Sequence, residues 1–295
     1  MNRQPQSALL PDRRLHLQDG PIDLIIGADG AEAEICAAYR AATERFTGLL
    51  DELCSELSYL RSGADPELCS LKGVVARRMH AAVAPFAAGL FITPMAAVAG
   101  AVADEILGAM LSAAKLTRAY VNNGGDIALH LRDAATFSVG LMDRPDSAGT
   151  LRRMTLRAND GVGGVATSGR HGRSFSLGIA DAVTVLARNA AQADAAATVI
   201  GNAVDLPGHP AVVRRPACEL QPDSDLGHRL VTREVGDLTD DDIATALTSG
   251  ERSAQNLLAA GVIEGAVLQL GGAVRVVGPR SIEIINVSRL RAAAA

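Results

Sequence analysis

Residues Gly161–Val204 read GVGGVATSGRHGRSFSLGIADAVTVLARNAAQADAAATVIGNAV. A glycine-rich approach leads into a polar turn, Thr167-Ser168-Gly169. Asp181–Ala187 then reads as a strand, and Ala190–Val204 carries Ala and Val at helical spacing. On that helix Asp194 and Thr198 stand one turn apart, so their Cβ atoms lie on one face, about 5–6 Å from each other. A carboxylate beside a hydroxyl suits a hard cation such as Mg²⁺. A surface Asp and a Thr bonded back to its own helix are the commoner outcome of that spacing. The pair therefore takes its meaning from what surrounds it.

Working outward, the chain alternates hairpins with a few long helices. Upstream, Val162–Ala166 reads as a strand. Thr136–Met142 and Leu151–Ala158 form a strand pair across the loop Arg144–Gly149. Arg118–Asn122 and Ile127–Leu131 flank Asn122-Asn123-Gly124-Gly125-Asp126, an Asn-Gly turn between strand-like runs and a strong hairpin signal. Asp126 sits at the mouth of that hairpin, where its carboxylate can meet a ligand.

Further back, Phe91–Met95 turns into a helix over Ala96–Lys115, and Thr93 before Pro94 suits its start. The small residues of Thr93–Ile106, TPMAAVAGAVADEI, permit close backbone approach, to another helix or to a ligand. Asp65–Pro85 reads as a helix with His80 on a partly exposed surface near its end. Ala31–Arg61 reads as one long helix ended by Ser62-Gly63, with Tyr39, Phe46, Leu49, Leu50, Leu53, Leu57 and Leu60 on one stripe. That stripe fits a helix laid on a sheet, or a seam between copies of the chain. Leu15–Gly27 holds one or two strands, Ile22–Ile26 being the firmest.

Downstream, Asp205–Asp225 reads as a polar surface loop. Asp240–Ala246 and Glu251–Ala260 read as short helices, and Ala266–Leu270, Ala273–Val277 and Ser281–Val287 as a closing meander. No repeat or composition break divides residues 1–295. The pattern predicts a single α+β domain, with helices packed on a largely antiparallel sheet.

Composition narrows the function classes. Hydrophobic residues at 48% and charged residues at 21% belong to a globular chain with a sizeable core. Aromatics at 3% leave that core to Ala, Val, Leu and Ile. A net charge of -5 argues against nucleic acid, whose phosphates need a basic surface. Cys36, Cys54, Cys69 and Cys218 form no CxxC pair and read as reduced packing residues. The N-terminus lacks the apolar core of a signal peptide. Pro85 and Pro94 interrupt the most apolar stretch, Ala81–Ala103, as a membrane span. The expectation is a cytoplasmic protein with no membrane partner.

Several chemistries lack their motif. There is no G-x-G-x-x-G after a strand, no Walker A after Gly161–Gly164, and no G-x-S-x-G around Ser168. A Ser168–His171 nucleophile and base would need the loop to fold back on itself.

Three stretches in order, Thr93–Ile106, Tyr120–Leu129 (YVNNGGDIAL) and Val165–Val204, resemble the UPF0280 proteins of the ApbE superfamily, which includes the FAD:protein FMN transferases. The resemblance implies an ApbE-like fold and a Mg²⁺ site made by Asp194, Thr198 and a main-chain carbonyl of Ala97–Gly100, taken as Ala97. It implies a diphosphate cradle at Asn123, Gly124 and Gly125 and at Thr167 and Gly169, with Asp126 and Ser168 as the residues that orient substrate. FAD or FMN, a phosphate-bearing small molecule and a place in coenzyme biosynthesis are expected with it; homo-oligomerisation is expected from the Ala31–Arg61 stripe and the apolar Phe86–Ala101 region, which exceed what one small sheet covers. Two departures mark this chain off from the transferases. Their Lys-Gly reads Ala99-Gly100 here, and their His-x-x-Asp-Pro-x-x-Gly segment is replaced by Ser174–Asp181 without His or Pro. Tyr120, Phe137 and Phe175 are the rings available to stack on an isoalloxazine.

Overall fold

The computed structural model describes residues 5–141, 151–278 and 284–287. In chain order the elements begin with β1 (Gln6–Leu9), β2 (Leu15–Asp19) and β3 (Ile22–Asp29). Helices α1 (Glu32–Phe46), α2 (Leu49–Ser55), α3 (Leu57–Leu60) and α4 (Val74–Ala87) follow, then a 3-10 turn at Pro94–Ala97 and α5 (Val98–Ala113). Next come β4 (Arg118–Asn123), β5 (Asp126–Leu131), β6 (Thr136–Leu141), β7 (Leu151–Arg157), β8 (Gly164–Ser168), β9 (Ala182–Ala187) and α6 (Ala190–Ala203). The chain continues with β10 (Val212–Pro216), α7 (Ala217–Leu220), β11 (Leu230–Val235), α8 (Asp240–Ala259), β12 (Gly265–Leu270), β13 (Ala273–Val277) and β14 (Ile284–Val287).

Nine strands form one sheet in the order β1-β2-β3-β4-β5-β8-β9-β12-β13, and every adjacent pair is antiparallel. The class is α+β. Alternation along the strands sorts side chains between two apolar layers. Val183, Val185 and Ala187 of β9 enter the helix-facing core with Ala166, Ala266 and Leu268. Leu186, Val165 and Val267 point the other way, into a second cluster with Leu129, Met154 and Leu156. The second layer is the small sheet β14-β7-β6. Both faces of β9 are thus covered, which is why all six of its residues are buried.

Helix α5 is the centre of the helical layer, between α1, α4 and α6 and over β4 and β5. Pro94–Ala113 is long and apolar enough to cross a membrane by length and composition. Here its apolar face, including Val102, Ile106 and Met110, is buried in the chain's own core.

Several expectations are corrected by local backbone chemistry. The helix read over Ala31–Arg61 is three helices. Gly48 takes φ 81, a left-handed conformation that ends α1 and restarts the chain as α2. Its stripe is nonetheless real, for Phe46, Leu49, Leu53 and Leu60 are buried in the core. The helix read from Asp65 begins only at Val74. The Asp65 carboxylate accepts the N–H groups of Glu67 and Leu68 instead, at 2.8 and 2.9 Å, a turn that competes with helix. The Glu56 carboxylate then receives Lys72 and Gly73 N–H, both at 2.7 Å, just before α4 starts. His80 is buried, its Nε2 2.9 Å from the Asp65 carbonyl oxygen, and is no surface residue.

The stretch after α6 is more ordered than its composition implied. Polar Asp205–Asp225 contains β10 and α7, and β10 pairs with β11, which had not been read as a strand. Strand β1 was missed as well, because all four of its residues are exposed and no alternation marks it. The two C-terminal helices are one, α8. It runs through Gly250, where a Cβ would press on Val204 and Leu268, so the glycine serves packing rather than a break. β12 and β13 form a hairpin, but β14 leaves that meander and pairs with β7. The expected loop Arg144–Gly149, with Met142 and Ser281, lies outside the described residues.

Candidate active site

The site is built where the β4–β5 hairpin, the start of α5 and the polar face of α6 meet. The hairpin turn is Gly124-Gly125, with φ 66 and 117, and Asn123 pairs with Asp126 across it. Glycine takes both conformations without strain, and φ 117 at Gly125 is open to little else. Asn122 Oδ1 accepts the Gly125 N–H at 2.9 Å and fixes the turn. Alternation along β5 puts Asp126 on the same face as Ala128, toward the helices.

Helix α6 brings Asp194 to the same place. Its Oδ2 accepts the Gly100 N–H at 3.0 Å, and the Ala99 N–H adds a second bond. Asp126 Oδ1 accepts the Thr167 N–H at 3.3 Å. Asn123 donates from Nδ2 to the Ala99 carbonyl oxygen at 3.2 Å, tying the hairpin to the start of α5. Asp194, Asp126, Asn123, Thr167 and the Ala99–Gly100 backbone are therefore one connected unit assembled from four distant segments.

Electrostatics marks the unit out. Burial pushes the Asp126 carboxyl up to about 7, opposed by the Thr167 N–H. Burial also pushes Asp194 well above the carboxylate range, and the Asp126 charge pushes it further, against the pull of the Gly100 and Ala99 N–H groups. Two neighbouring carboxyls that resist ionising together have room for a positive charge. Thr198 is half-buried one turn beyond Asp194. Thr43 and Thr248 bond back to their own helices, at 2.9 and 2.7 Å, whereas among the described residues the Thr198 hydroxyl has no partner.

The donor set discriminates between metals. Among the described residues no group of three or more His, Cys, Asp or Glu side chains comes together. A cation here would rest on the Asp194 carboxylate, the Thr198 hydroxyl, main-chain oxygen and oxygens of its ligand, with the Asp126 carboxyl beside it. That suits Mg²⁺, which keeps water and phosphate in its shell, and not zinc, which wants nitrogen and sulfur.

The remaining expected residues fall as follows. Ala97 is buried where the 3-10 turn passes into α5. The Thr167 hydroxyl is 2.8 Å from that of Thr184 and braces β8 against β9. Ser168 is half-buried and faces Gly201 of α6. His171 does not serve Ser168 as a base; its Nε2 is 3.2 Å from Asp181 Oδ1. Thr93 precedes the helix as expected but does not cap it, because its hydroxyl donates to Asp225. Tyr120 and Phe137 pack edge-on, 5.2 Å apart, within the second cluster on the far face of the sheet. Neither ring reaches the Asp126–Asp194 face.

One structural residue escaped the sequence reading. Both oxygens of Asp104 in α5 accept N–H groups at the start of α6, Ala190 and Ala191, each at 2.9 Å. Asn189 caps Gln192 N–H alongside, also at 2.9 Å. A carboxylate on the small-residue face of α5 was the available signal. Removing it strands two donors of the helix that carries Asp194. Asp104→Ala is expected to cost about 1–2 kcal/mol in urea unfolding, and Asp104→Asn, which keeps one acceptor, about half of that.

Comparison with known proteins adds a family. A family model described as AbpE bacteria matches residues 7–276. The chain belongs to this family. Proteins similar to this chain include the UPF0280 protein of Methanopyrus kandleri, 39% identical over 128 residues, covering 43% of this chain and 48% of the relative. The UPF0280 protein of Methanothrix thermoacetophila is 39% identical over 135 residues, covering 44% and 52%. That of Methanococcoides burtonii is 35% identical over 173 residues, covering 55% and 66%. The chain thus spans about half the length of the first two relatives. Among solved structures, the apo flavinyl transferase ApbE of Pseudomonas stutzeri aligns over 95% of this chain and 96% of its own, at 13% identity and a TM-score of 0.44. In this chain the NGGD turn at Asn123–Asp126, the TSG turn at Thr167–Gly169 and the α6 face are the segments that converge on the acidic pair.

Proposed function

We propose that this protein is a magnesium-dependent enzyme acting on a phosphate- or diphosphate-bearing small molecule. The observation that carries the reading is the Asp126–Asp194 pair, two neighbouring carboxyls joined to one hydrogen-bonded unit, both raised by burial and Asp194 further by the Asp126 charge. Asp194 and Thr198, with main-chain oxygen from the start of α5, would hold the ion. Bound Mg²⁺ supplies neutralisation of phosphate charge as a phosphoanhydride breaks. The Gly100 and Ala99 N–H groups fix the Asp194 carboxylate in one orientation. Asp126, on the rigid hairpin, orients substrate and can hold or release a proton near neutral pH. The Gly124-Gly125 and Thr167–Gly169 turns offer backbone N–H groups to phosphate oxygens.

A second reading is a non-catalytic module that binds a flavin or another anion. It is favoured by Ala99 in place of the transferases' lysine. The position of Tyr120 and Phe137 behind the sheet weighs against stacking of a flavin ring by either of them. Melting the protein with Mg²⁺ and ADP, FAD or FMN, and following the ligand by phosphorus NMR, separates the readings. A Mg²⁺-dependent shift with ligand turnover supports the enzyme, a shift without turnover the module, and no shift with any ligand overturns both.

The pH dependence has a definite sign. The Asp126 carboxyl is raised in the fold, so its contribution to stability is present below its unfolded value near 4 and is lost as pH rises through about 7. A Mg²⁺ held beside it by Asp194 and Thr198 would favour the ionised form of Asp126 and work against that proton. The increase in melting temperature given by Mg²⁺ should therefore grow from pH 5.5 to pH 8. A shift that is flat or shrinks over this range would contradict the assignment.

A further inference from the structure

The loop between β8 and β9 carries three cationic side chains, Arg170, His171 and Arg173. Two of them have an internal partner. Asp181 is buried and takes Arg170 on Oδ1 from Nε at 2.9 Å and Nη2 at 2.6 Å, and His171 on the same oxygen at 3.2 Å. Its other oxygen accepts the Gly271 N–H at 2.7 Å. The base of the loop is pinned as well, by Arg170 N–H to the Ala180 carbonyl at 2.9 Å and Gly172 N–H to the Gly169 carbonyl at 3.0 Å. Arg173 stands at the end of this pinned loop and is exposed. Among the described residues it has no ion pair. Its guanidinium lies over the diglycine hairpin turn. A Cβ placed on Gly124 would be 3.6 Å from Arg173 Nη1 and 3.8 Å from its Cζ.

The placement solves a charge problem. An anionic substrate approaching Asp126 and Asp194 meets two carboxyls, and one divalent ion only balances them. A second cation must face the far side of the anion. We propose that Arg173 is the anion-binding residue of this cleft, its guanidinium taking phosphoryl oxygens at the Gly124-Gly125 turn while the other end of the same group reaches the Asp126–Asp194 pair. The inference rests on the phosphate reading above and adds to it a residue and a direction of approach. A planar guanidinium takes two oxygens at once, which favours a terminal phosphate or a diphosphate over a neutral ligand. Both turn positions take positive φ, 66 and 117, and glycine there leaves the backbone open beneath the Arg173 guanidinium.

The test is calorimetric titration of the full chain with ADP and with inorganic pyrophosphate in Mg²⁺, for the wild type, Arg173→Gln and Arg173→Lys. Mg²⁺ alone is followed in parallel by thermal shift. Arg173→Gln should weaken both anions by about ten- to a hundredfold, with Arg173→Lys between it and the wild type. The response to Mg²⁺ alone and the melting point without ligand should stay unchanged. Wild-type affinity in Arg173→Gln would overturn the assignment of Arg173 and leave the phosphate reading standing. Loss of the Mg²⁺-only response or of the fold would overturn it too, as Arg173 would then be structural. Failure of the wild type to bind either anion would sink the phosphate reading and this inference with it.

Discussion

Replacing Asp194 with asparagine is expected to do two opposite things at once. The Mg²⁺-dependent binding of ADP or pyrophosphate should disappear, a loss of a hundredfold or more for a divalent ion deprived of its central carboxylate. The melting temperature of the metal-free protein should rise. Asp194 is held against burial and against Asp126, both of which disfavour its charge. Asparagine keeps an oxygen for the Gly100 N–H, which Asp194 Oδ2 accepts at 3.0 Å, and has no ionised form for the fold to disfavour. An exchange of stability for function is the signature of a site residue, since a carboxylate retained only for the fold would destabilise when lost. Thermal melts with and without Mg²⁺ read both effects. A variant that melts lower without metal and still binds ligand with it would show that Asp194 serves the α5–α6 contact alone.

How much of this was legible in the sequence depends on the range over which each feature is decided. Periodicity within one element is local, so β9 and α6 fall close to their expected bounds. The diglycine turn was equally plain, because two consecutive positive φ angles favour glycine. Breaks decided by one backbone angle were not legible. Gly48 lies in a run whose apolar spacing passes through it unchanged, and Gly250 has the same composition signal but sits mid-helix against Val204. The acidic pair itself was half legible. Asp194 and Thr198 declare a shared face, and Asp126 declares a hairpin mouth, but their meeting depends on the register of β5 against α6. Asp104 and Arg173 lay deeper still. Asp104 is defined by the start of a helix 86 positions on, and Arg173 by the pairing of its two cationic neighbours with Asp181.

Gly100 is the position where the fold and the site are the same contact. A Cβ there would fall on the Ala190 carbonyl group, with the Ala191 nitrogen only 2.8 Å away. These are backbone atoms of the first turn of α6 and cannot rotate aside. The same crossing carries the Asp104 bonds to Ala190 and Ala191 and the Gly100 bond to Asp194. Gly100→Ala must therefore push α6 away from α5 and lengthen all three. The expected cost is about 3 kcal/mol or more, above the usual range for overpacking because no side chain can yield, and only partly offset by the ~1 kcal/mol that alanine gains over glycine in a helix. Gly108 supplies the control on the same helix. It is exposed with nothing within 4 Å of its Cβ position, so Gly108→Ala should stabilise by up to about 1 kcal/mol. Urea unfolding of the two variants gives the comparison, and the Mg²⁺ response of Gly100→Ala adds a second reading. Displacing α6 carries Asp194 and Thr198 away from Asp126, so that response should be lost even below the unfolding transition. A Gly100→Ala protein as stable as Gly108→Ala would mean that the two helices do not touch where the site requires them to.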